Sequence, residues 1–320
     1  MKNIRNHSGW IHLFGVLWFS VSFAQAGTPP ADAEWIANAT LKQPRILTIT
    51  NVGACQGVSL YDGKIYLYGD VHDAKPRVGV IREYDINMKP TGRHVWLKQN
   101  GKPIIRHPTG LTWHKKWGCF LGNTVDGKAT IYQLDWKQAW KDGNLDNAVR
   151  TVIIDDAAVN GCRPLFVTVA GKSYLATADY GDKSHLRLYD PGALIKAKRS
   201  RAPGVKVYDL PFGSFNQNLD WDDKSGQIIG VQNVVAGRGF RLDYIHLAKA
   251  IKAGNASAKG VRNKTITYPP HTELEGYREL RSGVGIFVTA HPKDNVIIGE
   301  TIKISPRKSP KGFAGWNPKK

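Results

Sequence analysis

Residues 108–135 read PTGLTWHKKWGCFLGNTVDGKATIYQLD. Three short apolar runs, rich in Val, Ile, Thr and aromatic residues, are divided by the turns Lys116-Trp117-Gly118 and Asp126-Gly127. A fourth run, RTVIID (150–155), follows the segment WKQAWKDGN (136–144). Short β-rich runs bounded by Gly and Asp turns are strand signals.

The same unit recurs along the chain. Its opening appears as CQGVSL (55–60), PTGLTW (108–113), CRPLFV (162–167), NQNLDW (216–221) and LEGYRE (274–279). The third residue of each opening, Gly57, Gly110, Pro164, Asn218 and Gly276, is spaced by 53, 54, 54 and 58 residues. A fixed period of this length is the mark of a repeat architecture. Second strands (KIYLYG, CFLGN, KSYLATA, QIIGVQN, IFVTA) and third strands (VGVIREYD, ATIYQLD, HLRLYD, GFRLDYI, NVIIGETI) keep their order in all five units. Fourth strands are visible in four units only, as HVWLK, RTVIID, VKVYDL and KTITYP. Four of the third strands close on Asp85, Asp135, Asp190 and Asp243, expected to cap turns through their carboxylates.

Five four-stranded units of this kind predict an all-β fold, a five-bladed β-propeller. The fifth unit lacks a fourth strand, and Ile46–Val52 (ILTITNV) precedes the first unit unassigned. That N-terminal strand is expected to complete blade 5 and close the ring, removing exposed sheet edges. Short helices are expected at WKQAWKDGN, GALIKAKRS and HLAKAIKAGN, between third and fourth strands. The expected organisation is a signal peptide at 1–26, a linker at 27–45, the propeller at 46–304 and a basic tail at 305–320. The pattern resembles the exported lactonase-like, glycosidase-like and lectin-like propellers in architecture. No WD dipeptide or kelch double glycine recurs at the blade period, so the resemblance carries no catalytic residue with it.

The N-terminus carries Lys2 and Arg5, an apolar run at 9–23 and a small-x-small site ending at Ala26. This is the layout of a cleavable export signal, and it predicts a periplasmic or secreted protein. The chain's formal charge of +19 falls to +17 once the two basic residues of the signal are removed. A basic exported protein is steered towards anionic partners, an anionic envelope surface included. The densest basic stretches, KAKRSR (196–201) and the C-terminal tail, lack interleaved stacking aromatics, so no specific nucleic-acid partner is expected. Cys55, Cys119 and Cys162 are an odd set without zinc spacing. Cys55 and Cys162 share one repeat position two blades apart, too far for a disulfide, so three free thiols are expected. No metal and no cofactor is expected.

In a propeller the first strands line the axis. The residue before each repeat marker then forms an inner ring at one face: Gln56, Thr109, Arg163, Gln217 and Glu275. The ends of second strands and adjoining turns supply an outer ring: Asp70, His72, His107, Asn123, Asp179, Tyr180, Asn233 and His291. Convergent amides, hydroxyls and one Arg suit a small polar or anionic ligand, carbohydrate-like in character, because Arg forks onto carboxylate, sulfate or phosphate. Two further readings stay open. One is a hydrolase of a carbohydrate or lactone using Glu275 with Asp70 or Asp179, since glycoside hydrolysis needs two carboxyl groups. The other is a scaffold that docks an envelope protein. Arg163 can be satisfied either by Glu275 or by an incoming anion.

Overall fold

The computed structural model describes residues 39–233, 240–257, 261–268 and 273–303. The expected signal peptide and basic tail, and residues 27–38 of the expected linker, lie outside the described residues. Blade 5 includes the first strand of the chain, β1 (Ala39–Leu47). Blade 1 consists of β2 (Ala54–Tyr61), β3 (Lys64–Val71), β4 (Val78–Tyr84) and β5 (Pro90–Trp96). A two-residue hairpin, β6 (Lys98–Gln99) with β7 (Lys102–Pro103), leads to blade 2. Blade 2 holds β8 (Pro108–His114), β9 (Gly118–Val125), β10 (Lys128–Leu134) and β11 (Val149–Ile154), with α1 (Trp136–Asp142) before the last strand. Blade 3 holds β12 (Leu165–Val169), β13 (Lys172–Ala178), β14 (His185–Tyr189), α2 (Pro191–Ala197) and β15 (Lys206–Pro211). Blade 4 holds β16 (Asn216–Asp222), β17 (Gln227–Asn233), β18 (Phe240–His246), α3 (Leu247–Ala253) and β19 (Arg262–Tyr268). Blade 5 is β20 (Leu274–Arg281), β21 (Val284–Thr289) and β22 (Val296–Lys303), completed by β1.

Every blade is a four-stranded antiparallel meander. The first strands meet in a closed cycle: β2 touches β8 and β20, β12 touches β8 and β16, and β16 touches β20. The chain is therefore a five-bladed β-propeller. The closing strand differs from the expectation. It pairs antiparallel with β22 from Ala39 to Leu47, so residues 39–45 belong to blade 5 rather than to a linker, and Thr48–Val52 lead into blade 1. The misreading has a physical cause, because Thr40-Leu41-Lys42-Gln43 is polar enough to pass for a connection. An irregularity between Lys42 and Arg45 also breaks the alternation there.

Alternation along each strand builds five cores, one at each blade interface. On β3, Ile65 and Leu67 face blade 5, whereas Tyr66 and Tyr68 face blade 2. On β17, Ile228 packs towards blade 3 and Ile229 with Val231 towards blade 5. A period of two with both faces apolar is what a sheet sandwiched between neighbours demands. Cys55, Cys119 and Cys162 are free, and each is buried in a different interface.

Capping follows the sequence in part. Asp135 and Asp190 cap α1 and α2 by accepting from Gln138 N at 3.1 Å and Ala193 N at 2.9 Å. Asp85 likewise accepts from Asn87 N and Lys89 N. Asp243 does not cap. It sits in mid-strand, fully buried, bonded to Gln232 and Arg241, and His246 occupies the cap position of α3 without a side-chain bond. No helix among the described residues is long and apolar enough to cross a membrane.

Candidate functional site

The inner ring arises from a backbone irregularity repeated around the axis. Strand pairing slips between Cys55 and Gly57, between Pro108 and Leu111, between Asn216 and Asn218, and between Leu274 and Gly276. Each slip is a bulge that leaves one residue unpaired, or two in blade 2 (Thr109 and Gly110), and turns a side chain out of the ladder. The unpaired residues include Gln56, Thr109, Gln217 and Glu275. Blade 3 reaches the same result differently, with Arg163 placed just ahead of β12 and followed by Pro164, which has no N–H to donate.

The residues next in line fill the axis. Asn218 Nδ2 donates to Tyr68 Oη at 2.8 Å and to Glu275 O at 3.3 Å. A Cβ on Gly57 would fall 2.5 Å from Asn218 Nδ2, and one on Gly276 would fall 2.9 Å from Gly57 Cα. A Cβ on Gly110, whose φ is +79°, would stand 2.9 Å from Pro164 Cδ. The repeat markers Gly57, Gly110, Pro164, Asn218 and Gly276 thus close the centre. They form a floor, and the inner ring is buried on top of it, between 2% (Thr109) and 9% (Gln217) exposed.

Arg163 is the cation of that ring. Its Nε donates to Gln217 O at 3.2 Å and its Nη1 to Asn160 O at 3.4 Å, and the guanidinium lies 5.5 Å from the Tyr180 ring centroid. No carboxylate of the described residues comes within 4 Å of it. Burial pushes the guanidinium below its ordinary range. Glu275 accepts from Gln217 Nε2 at 3.3 Å. Burial first, then the charge of Glu273 and a hydrogen bond with it, hold the Glu275 carboxyl well above the usual range, with Arg163 opposing. The shift favours the acid form of Glu275, and Arg163 and Glu275 do not form an ion pair.

The outer ring separates into two kinds of residue. Asp70, at the end of β3, is fully buried. Its Oδ2 accepts from His107 Nδ1 at 2.7 Å and from an Arg77 Nη2, while His72 Nε2 stands 2.6 Å from Oδ1 without the alignment of a hydrogen bond. Burial raises the Asp70 carboxyl, but hydrogen bonds from His107 and Arg77 and their charges outweigh it and hold it below its ordinary value. Asp179, Asn123 and His291 are instead used within the fold. Asp179 accepts from Val159 N, Arg187 Nη1 and His185 N at 2.8, 2.6 and 3.2 Å. Asn123 Oδ1 accepts from Arg106 N and His107 N, both at 3.2 Å, and holds the loop that carries His107. His291 Nδ1 accepts from Lys293 N in a surface turn. The side chain of Asn233 lies outside the described residues.

Three contributors escape the sequence reading: Arg77, Glu273 and Asn160. Arg77 carries a usable signal. An arginine on or beside the third strand meets a buried carboxylate in three blades, as Arg77–Asp70, Arg187–Asp179 and Arg241–Asp243. Glu273 and Asn160 act through burial and a carbonyl, which no residue pattern announces.

A comparison with protein-family models finds no match, and neither does one with curated protein sequences. Among solved structures the fold is similar to a chain of Kuenenia stuttgartiensis hydrazine synthase, with TM-score 0.40 and 10% identity over 75% of this chain and 57% of that one. It is also similar to a chain of the mitotic checkpoint complex, with TM-score 0.39 and 12% identity over 78% of this chain and 63% of that one. The chain thus spans less than two thirds of either.

Proposed function

We propose that this chain is an exported binding protein that takes a small anionic, hydroxyl-bearing ligand of the acidic-sugar class at the inner ring. One observation carries the reading: Arg163 is a buried guanidinium that faces carbonyls and an aromatic ring, with no carboxylate of the described residues in reach. A desolvated cation in that state gains most from an incoming carboxylate, through charge-assisted bonds. Glu275, whose acid form burial favours, and the amides of Gln56 and Gln217 supply the neutral donors that hydroxyls and a carboxylate accept from. Calorimetric titration with galacturonate and with galactose tests this. Galacturonate is expected to bind and galactose to bind at least tenfold more weakly, and Arg163→Met to remove the difference. Equal affinities, or a variant that binds as the wild type does, would overturn it.

A second reading rests on its own observation. Asp70 and Glu275 have acidities pushed in opposite directions, one towards the carboxylate and the other towards the acid. That division is how a fold assigns a base and an acid at one pH. A carbohydrate hydrolase at this face would lose turnover in both Asp70→Asn and Glu275→Gln. Reducing-sugar release from a panel of polysaccharides is the measurement, and release unchanged in either variant sinks it.

A further inference from the structure

Residues 157–161 belong to the connection from β11 to β12, and their tip is set against Arg163, which is 4% exposed. The tip touches the guanidinium through one bond, from Nη1 to Asn160 O at 3.4 Å. Ordinary N–H···O bonds run from about 2.7 to 3.2 Å, so this one is weak. Behind the tip, Val159 N donates to Asp179 Oδ1 at 2.8 Å and Ala157 N to Ser200 Oγ at 2.9 Å. Little apolar packing holds the tip down, since Val159 is 61% exposed and Asn160 is exposed as well. Asn160 and Gly161 both have positive φ, +56° and +100°, a place where the backbone can turn. Segments with few buried apolar contacts open at low cost.

Two polar groups beneath the tip are left unmet. Thr124 Oγ1, on β9, is buried and has no partner in the protein. Arg163 donates to carbonyls alone. Gly161 lies against both: a Cβ on it would fall 2.5 Å from Thr124 Oγ1 and 3.0 Å from Arg163 Nη1. A hydroxyl of blade 2 and a guanidinium of blade 3 therefore flank one point, and the glycine that covers it bonds to neither. Buried hydroxyls are normally bonded, and one left open beside a buried cation marks a place for an acceptor.

We infer that Arg163 and Thr124 form a two-point subsite for a ligand carboxylate, and that residues 157–161 are its cover. The inference rests on the anionic ligand proposed for the inner ring and names what holds the acid group and how it enters. One carboxylate oxygen accepts from Arg163 Nη1, which gives up Asn160 O, and the other accepts from Thr124 Oγ1. A guanidinium bonds a carboxylate more strongly than a neutral carbonyl, so the exchange favours the ligand. Gly161 has to lift away to make room for it. Only the open fraction of the protein binds, so a change that unsettles the closed cover tightens binding.

The test uses the full chain from residue 27, with galacturonate as the probe in calorimetry and amide hydrogen exchange as the second readout. Thr124→Val keeps the shape of the side chain and removes the hydroxyl. It is expected to weaken galacturonate about tenfold, the worth of a hydrogen bond to a charged group. Its melting temperature is expected to hold or rise, because no bond within the protein is lost. Gly161→Ala cannot close as the wild type does, given its φ and the two contacts of the added Cβ. It is expected to bind about threefold more tightly or better, as the open fraction grows. Exchange across 157–161 is expected to quicken when galacturonate saturates the wild type. Unchanged affinity in Thr124→Val, or affinity and melting temperature lost together, overturns the two-point subsite. Gly161→Ala that binds no more tightly, or exchange that slows on binding, overturns the cover and leaves Arg163 standing. Wild type that binds no galacturonate overturns the anionic reading of the ring, and the subsite with it.

Discussion

Gly276→Ala probes the contact on which ring closure depends. Gly276 follows the bulge in β20 and has no positive φ, so an alanine there is opposed by space alone. Its Cβ would stand 2.9 Å from Gly57 Cα, 3.0 Å from Val58 N and 2.9 Å from Val288 Cγ2. Ordinary carbon contacts lie at about 3.5–4.0 Å, so the first strands of blades 1 and 5 must part by more than half an ångström. Overpacking of a core costs about 1–3 kcal/mol, and two backbone atoms among the three neighbours place this site at the upper end. The stiffer unfolded chain returns about 0.4–1 kcal/mol, leaving a net loss of about 2 kcal/mol. At about 2–4 °C per kcal/mol for a domain of this size, the melting temperature falls by about 4–8 °C. Gly299→Ala is the control, since its Cβ would meet only the side chain of Leu41, at 3.2 to 3.5 Å, and that side chain can move. Calorimetric melting of the three proteins is the assay. Gly276→Ala melting with the wild type would mean that blades 1 and 5 do not approach as described.

Removal of residues 27–47 should abolish soluble, cooperative folding, because β22 would become an open edge; a soluble 48–320 fragment with a sharp melt refutes the closure. Ellman's reagent should titrate no thiol in the native protein and three in denaturant, burial having pushed Cys55 up to about 12 and raised Cys119 and Cys162 further from reactivity; one fast native thiol contradicts this. Asp70→Asn should cost about 1.5–3 kcal/mol at neutral pH, the worth of a charged hydrogen bond. Because the Asp70 carboxyl is depressed in the fold, that stabilisation is complete above the ordinary carboxylate value of 3.8 and disappears as pH falls through the folded value. A gap between wild type and variant that does not narrow in acid refutes the assignment. Glu275 has the opposite sign: the folded carboxyl keeps its proton while the unfolded one ionises above 4.5, so stability falls as pH rises. Glu275→Gln should remove that fall and melt higher than the wild type at pH 8 but not at pH 4; equal melting at both refutes a retained proton.

Much of this architecture is legible in the repeat, because the pattern and the packing have the same origin. A blade sandwiched between two others needs apolar residues on both faces of its strands, and KIYLYG and QIIGVQN announce that. The Gly after Gln56, Thr109 and Glu275 announces the bulge, since the chain there comes against another blade. Two features are hidden. The first half of β1 is hidden because an outermost strand has one wet face and a polar stretch satisfies it. The burial of the inner ring is hidden because Asn218 and Tyr68 close the axis from different blades, 150 residues apart in sequence. Asp70 and Asp179 look alike by position, yet one is buried beneath the half-exposed side chains of Arg77 and His107 and the other is enclosed by backbone and Arg187.

The closed axis also explains why the polar ring survives beside so much apolar packing. A through-channel would keep all five side chains hydrated and make their identity indifferent. A floor of Gly57, Gly110, Pro164, Asn218 and Gly276 denies them water from below, so each must find a partner or be left unmet. Gln217 and Glu275 find one another, and burial favours the acid form of Glu275 over its charge. Thr109 Oγ1 and, beside it on blade 2, Thr124 Oγ1 find none in the protein, and Arg163 finds carbonyls where a buried cation needs an anion.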